Sequence, residues 1–157
     1  MLTIGIDPGL SGALGVLDSD GMPELVADLP VIRDHKLAWI DGAALQSTLL
    51  EAIQGRPCRA YVERVSAMPA QGIASAFTFG VGLGSILATL QTLRLPIELI
   101  TPAQWKAALG LGNDKRASLD KARLLFPSAD LHLAKHDGRA EALLLAHYAQ
   151  TRRPVTA

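Results

Sequence analysis

Cysteine is nearly absent: Cys58 stands alone, so no intramolecular disulfide can form and no cysteine-built zinc site is available. That fits a reducing compartment, and the expectation is a cytoplasmic, nucleoid-associated protein. A basic and apolar leader with a small-residue cleavage site is also lacking, because Met1 leads directly into a strand-like run; no signal peptide is expected. The longest apolar stretch, Ile73 to Leu90, is interrupted by Gly80, Gly82, Gly84 and several hydroxyls. It predicts a buried helix of a soluble protein, with no membrane as partner. Those glycines lack the Lys-Ser/Thr of a phosphate loop, and no organic cofactor is expected. Lys and Arg are missing altogether from residues 1–32, which hold Asp7, Asp18, Asp20, Glu24 and Asp28.

A net charge of zero argues against a nucleic-acid partner until the distribution is considered. From Thr101 onward stand Lys106, Lys115, Arg116, Lys121, Arg123, Lys135, Arg139, Arg152 and Arg153, against Asp114, Asp120, Asp130, Asp137 and Glu141. If metal occupies Asp137 and Glu141, the surface around them is basic.

At 157 residues, 49% of them hydrophobic, the chain makes one domain, residues 1–157, with a proper core. Leu2, Ile4 and Ile6 alternate with Thr3, Gly5 and Asp7, the period of a strand, and Pro8-Gly9 ends it. Gly12 to Leu17 and Glu24 to Leu29 follow as strands across the Asp20-Gly21 turn, an antiparallel meander. Then come a helix over Leu37 to Ile53, a strand over Ala60 to Val65, a helix over Ile73 to Leu93 and a strand over Leu95 to Ile100. Helices at Pro102 to Leu109, Lys115 to Leu125 and Gly138 to Thr151 complete an α/β fold, a mixed sheet with helices on its faces.

Four carboxylates fall where apolar segments end or change: Asp7, Glu63, Asp137 and Glu141. Ionised acids sharing one cleft repel by about 4 kcal/mol per pair at ~4 Å and an effective dielectric of ~20. They must protonate or take up cations, and an all-oxygen set favours Mg²⁺ or Mn²⁺ over zinc. Each acid has a plainer alternative. Asp7 could form an Asx turn before Pro8-Gly9, Glu63 could sit at an edge or pair with Arg64, and Asp137 could cap a helix. Asp137 and Glu141 are four apart and share a helix face, but a capping box would need its acid where Ala140 stands. His136 is a weaker candidate ligand or proton donor.

Ile4-Gly5-Ile6-Asp7-Pro8-Gly9, Tyr61-Val62-Glu63 and the Asp137 to Ala142 run resemble the RuvC family of Holliday-junction resolvases, in particular its small phage members. Phe77-Thr78-Phe79-Gly80, Thr101-Pro102-Ala103-Gln104-Trp105-Lys106, Gly110-Leu111-Gly112 and Lys115-Arg116 extend the resemblance over nearly the whole chain. It implies a ribonuclease-H-like fold of five strands, the first three antiparallel, with helices on both sides. It also implies a homodimer that cuts four-way or otherwise branched DNA in paired symmetric nicks leaving 5′ phosphates. Asp7, Glu63, Asp137 and Glu141 match the family's four metal-binding, catalytic acids, which hold two Mg²⁺ or Mn²⁺ ions. Lys106, Lys115 and Arg116, with Arg64 and Arg139, would hold DNA phosphates.

Two departures stand out. The last two acids are four apart, with Gly138 between, where bacterial members place them three apart, and Ser66-Ala67-Met68 replaces an aromatic wedge. Two other classes compete: an actin-like kinase, for which this chain has no room, and a catalytically silent module binding DNA or protein. The nuclease reading requires an acidic nest empty of protein cations. The Gly-rich helix Ile73 to Leu90 is the expected dimer interface.

Overall fold

The computed structural model describes residues 1–35, 37–64 and 72–152. Five strands form the main sheet: β1 (Leu2–Asp7), β2 (Ala13–Leu17), β3 (Pro23–Asp28), β6 (Cys58–Glu63) and β7 (Ile97–Ile100), in the order β3-β2-β1-β6-β7. β1 runs antiparallel to β2, and β2 to β3, while β1–β6 and β6–β7 are parallel. The two parallel steps bring the C-terminal ends of β1, β6 and β7 to one edge of the molecule. In this register Ile6 pairs with Val62, so Asp7 and Glu63 leave adjacent strands side by side.

A strand buried on both faces needs apolar or small residues on each. Leu2, Ile4 and Ile6 enter one core with Leu14, Val16, Ala60 and Val62. Helices α1 (Gly42–Ile53) and α2 (Ile73–Thr92) cover it through Leu45, Leu49, Ile53, Ile86 and Leu90. The opposite face meets α5 (Asp137–Thr151), flanked by α3 (Pro102–Ala108) and α4 (Lys115–Leu125), around Tyr61, Trp105, Leu119, Leu143 and Leu144. On β1 that face holds Thr3, Gly5 and Asp7. A Cβ on Gly5 would lie 2.1 Å from the Ala142 carbonyl oxygen, so only glycine lets α5 lie directly on the central strand.

The helix expected over Leu37 to Ile53 is two elements. β4 (Val31–Asp34) and β5 (Leu37–Ile40) form a separate antiparallel hairpin, and α1 starts only at Gly42. Leu37 and Ile40 fit helical spacing, but Asp41 is the start signal: its Oδ1 accepts from the Ala43 and Ala44 amides at 3.0 Å each. The buried helix expected at Ile73 to Leu90 is corrected as well. α2 buries Gly82, Ile86, Thr89 and Leu90, while Ile73 is 90% and Phe77 72% exposed. By length and composition α2 could cross a membrane; its second half packs on α1 and β5.

Candidate metal and nucleic-acid site

Asp7 ends β1 and Glu63 ends β6; α5 brings its first two turns over both. One ligand oxygen each from Asp7, Glu63 and Glu141 lies within 4.8 Å of the others, with Glu63 and Glu141 buried and Asp7 partly so. Asp137, one turn before Glu141, stands at the rim of this trio. It is the first residue of the helix and not its cap, a place taken by His136. The competing reading of Asp137 as a capping residue is therefore set aside.

Gly138 lets the start of α5 approach β1 closely. A Cβ there would sit 2.7 Å from the Ser11 carbonyl oxygen and 3.3 Å from Asp7 Oδ2. With glycine, the start of α5 can press against the β1–β2 turn and hold Asp137 and Glu141 beside Asp7.

Crowding shows in the protonation equilibria. Burial first, then the Glu63 and Glu141 carboxylates, push the Asp7 carboxyl well above the usual range. Burial also raises Glu63, opposed by a hydrogen bond from the Trp105 indole and assisted by Glu141. Trp105 is wholly buried and donates from Nε1 to Glu63 Oε1 at 2.8 Å, while the Ser118 hydroxyl lies 3.4 Å from Glu141 Oε1. Neither supporting residue could be assigned its role from the sequence, because Trp105 and Ser118 stand 42 and 23 residues from the acids they touch.

The nest is not empty of protein cations, which corrects the expectation. Lys106 Nζ donates to Glu141 Oε1 at 2.7 Å, and Lys115 Nζ to Asp137 Oδ2 at 2.5 Å. The Asp137 hydrogen bond raises the Lys115 ammonium above its ordinary value, with further help from Glu141 and Asp7. No arginine is bound to any of the four acids among the described residues.

Of the five residues expected to meet DNA, Arg64, Lys106, Lys115 and Arg116 lie beside this edge. Arg64 follows Glu63 directly and is exposed, its amide held by the Ile100 carbonyl at 2.7 Å. Lys106 and Lys115 reach in from α3 and α4, and Arg116 points outward beside Asp120 at 3.9 Å. A groove of about 560 Å³ lined by Lys115, Arg116, Arg123, His132 and Asp137 opens next to the acids.

Arg139 is the exception. Its guanidinium binds Asp28 through Nε at 2.6 Å and Nη2 at 3.0 Å, and Asp130 through Nη1 at 2.7 Å. It sits on the side of α5 away from the acids and ties the helix to β3 and to the α4–α5 loop as a structural clamp. His136 is buried, its Nδ1 3.8 Å from Asp130 and without a hydrogen-bond partner. The Ser66-Ala67-Met68 segment lies outside the described residues.

The arrangement is that of the RuvC fold. The structure of T. thermophilus RuvC in complex with a Holliday junction substrate superimposes with a TM-score of 0.65 at 20% identity, covering 94% of this chain and 92% of that one. A second Thermus thermophilus RuvC structure gives 0.58 at 21% identity over the same shares. In sequence, the chain is 36% identical over 113 residues to the chloroplastic Holliday junction resolvase MOC1 of Chlamydomonas reinhardtii. That alignment takes in 68% of this chain and only 13% of the relative's length. No protein-family model matches the chain.

Proposed function

We propose that this protein is a metal-dependent endonuclease that resolves four-way or branched DNA by paired symmetric nicks leaving 5′ phosphates. The observation that carries the reading is the convergence of Asp7, Glu63 and Glu141 within 4.8 Å, with Asp137 at the rim. The similarity to a Holliday junction resolvase supports it in sequence.

The residues fit two divalent ions. All donors are carboxylate oxygens, the class that Mg²⁺ and Mn²⁺ take, and the carboxyls of Asp7 and Glu63 are raised by burial first and by neighbouring acids after it. Asp7, Glu63 and Glu141, with Asp137 at the rim, would hold the ions. When bound, such ions activate water for in-line attack and offset charge on the leaving 3′ oxygen. The chain's own share is positional. Trp105 fixes the Glu63 carboxylate, Ser118 steadies Glu141, and Gly138 sets the depth of α5. Arg64, Lys106, Lys115 and Arg116 would hold backbone phosphates, which orient the substrate without reading its bases.

Two cuts related by symmetry call for two sites related by symmetry. Ile73, Phe77 and Val81, spaced by four on the exposed half of α2, form the apolar stripe through which a second copy would pair. Labelled four-way, forked and linear duplex DNA, incubated with and without Mg²⁺, tests the reading. Paired symmetric nicks confined to the junction and dependent on the ion support it; equal cutting of linear duplex, or none of the junction, counts against it. A junction-binding module without catalysis would bind all the same and leave every strand intact.

A further inference from the structure

We infer that Lys106 and Lys115 are built-in placeholders for the site's divalent ions: each ammonium holds a ligand carboxylate in the ion-free protein and is expelled toward the DNA backbone when an ion arrives. The inference rests on the metal reading above and concerns what these two side chains do before the ions bind.

The geometry is specific. Lys106 is only 14% exposed, yet it spends its ammonium on Glu141 Oε1, an acid of the trio, and not on solvent. Lys115 does the same at the rim with Asp137. A carboxylate oxygen that coordinates an ion at ~2.1 Å cannot keep an ammonium at hydrogen-bond distance without placing like charges a few ångströms apart in a partly buried site. Lysine suits the exchange. It is a point charge on a flexible four-carbon stem, with no planar fork to lock it to one carboxylate. The neutral donors behave differently: the Trp105 indole N–H and the Ser118 hydroxyl can stay where they are, since neither carries charge.

Placeholding has two consequences of opposite sign. Without ions, the ammoniums relieve repulsion among acids that would otherwise spread the β1, β6 and α5 ends apart. With ions, they compete, so ion affinity is lower than the acids alone would give. A released Lys106 or Lys115 then stands beside the scissile region as a phosphate contact, which couples ion binding to DNA grip.

Calorimetric titration with MnCl₂ of the full chain and of Lys106→Met, Lys115→Met and Arg116→Met separates the possibilities. Lys106→Met is expected to bind Mn²⁺ roughly three- to tenfold more tightly than the parent, the scale of one partly buried ion pair. It is also expected to melt at lower temperature in chelator. Lys115→Met, whose ammonium is more exposed, should shift less, and Arg116→Met not at all. Lys106→Gln repeats the test should the Met variant fold poorly. In the unaltered protein, the Lys106 ammonium resonance should be protected in chelator and lost on adding Mg²⁺. Mn²⁺ affinity that the Lys106 variants leave unchanged or weaken overturns the placeholder inference alone. Absence of Mn²⁺ binding in parent and variants overturns it together with the metal reading.

Discussion

Helix α5 carries two ionic clusters on opposite sides. On one, a single cation, Arg139, faces two carboxylates, Asp28 and Asp130, through three bonds of 2.6 to 3.0 Å. On the other, two lysines face Asp137 and Glu141, with Asp7 and Glu63 behind them still short of cations. A guanidinium fork matched to planar carboxylates makes a fixed joint; point-charge ammoniums over an excess of acid make a site ready to exchange partners. Opposite signs of excess charge are absent here: both clusters are acid-rich, and only the geometry of the cation separates a strut from a receptor.

The difference is broken most severely by removing the central acid. Asp7→Asn should lower junction cleavage by roughly a hundredfold to a thousandfold or more, because a ligand of the proposed ions is lost. Gel-shift binding to the junction in Ca²⁺ should persist, and unchanged cleavage would end the metal account. Next in size is the proposed contact between copies: Phe77→Glu, at a residue 72% exposed, should leave the fold intact and give a monomer where the parent is a dimer in light scattering at micromolar concentration. An unchanged mass would remove α2 as the contact.

The strut gives the third test. Arg139→Met should cost about 1–2 kcal/mol, a fall of about 3–7 °C in Tm, since the arginine is well buried but its partners are more than half exposed. Mn²⁺ affinity should change little, in contrast to Lys106→Met; a Tm unmoved by the substitution would deny the clamp.

The smallest effect is on the pH dependence of stability. Asp7 and Glu63 have raised folded-state carboxyls, so the native state holds protons that the unfolded chain has released. Their contribution is favourable below the ordinary carboxylate range and is lost as pH rises toward and through the raised folded-state values. In chelator, the protein should therefore lose stability as pH climbs from about 4 toward neutrality. Asp7→Asn should flatten that slope and raise the Tm at pH 7 by about 2–4 °C. Destabilisation by the same substitution at neutral pH would contradict the crowded-acid picture.

Much of the fold was legible because its signals are local. The Leu2-Ile4-Ile6 alternation, its end at Pro8-Gly9 and the Asp20-Gly21 turn each fix an element by short-range chemistry. The β4–β5 hairpin was hidden because Leu37 and Ile40 satisfy a helix as well as a strand, and only the Asp41 cap decides between them. Among the acids, the sequence marks Glu63 and Glu141 by their apolar neighbours, and the structure gathers them with Asp7. What could not be read were distances across the chain. Gly5 and Gly138 matter through contacts with Ala142 and Ser11, Trp105 through a bond to Glu63, and Arg139 through partners 111 and 9 residues away. Charge alone marked Arg139 as a DNA contact, and charge alone could not show that Asp28 and Asp130 had already claimed it.

The central claim is that divalent ions settle among Asp7, Glu63 and Glu141, and the chain carries its own reporter of that event. Its two tryptophans are Trp39, on the separate hairpin, and Trp105, whose indole nitrogen lies 2.8 Å from Glu63 Oε1. Titrating the protein with paramagnetic Mn²⁺ while following both indole N–H resonances should broaden the Trp105 signal first and selectively, and Asp7→Asn should blunt the effect. Equal broadening of both signals, or an unperturbed Trp105 at Mn²⁺ levels that support cleavage, would contradict the account.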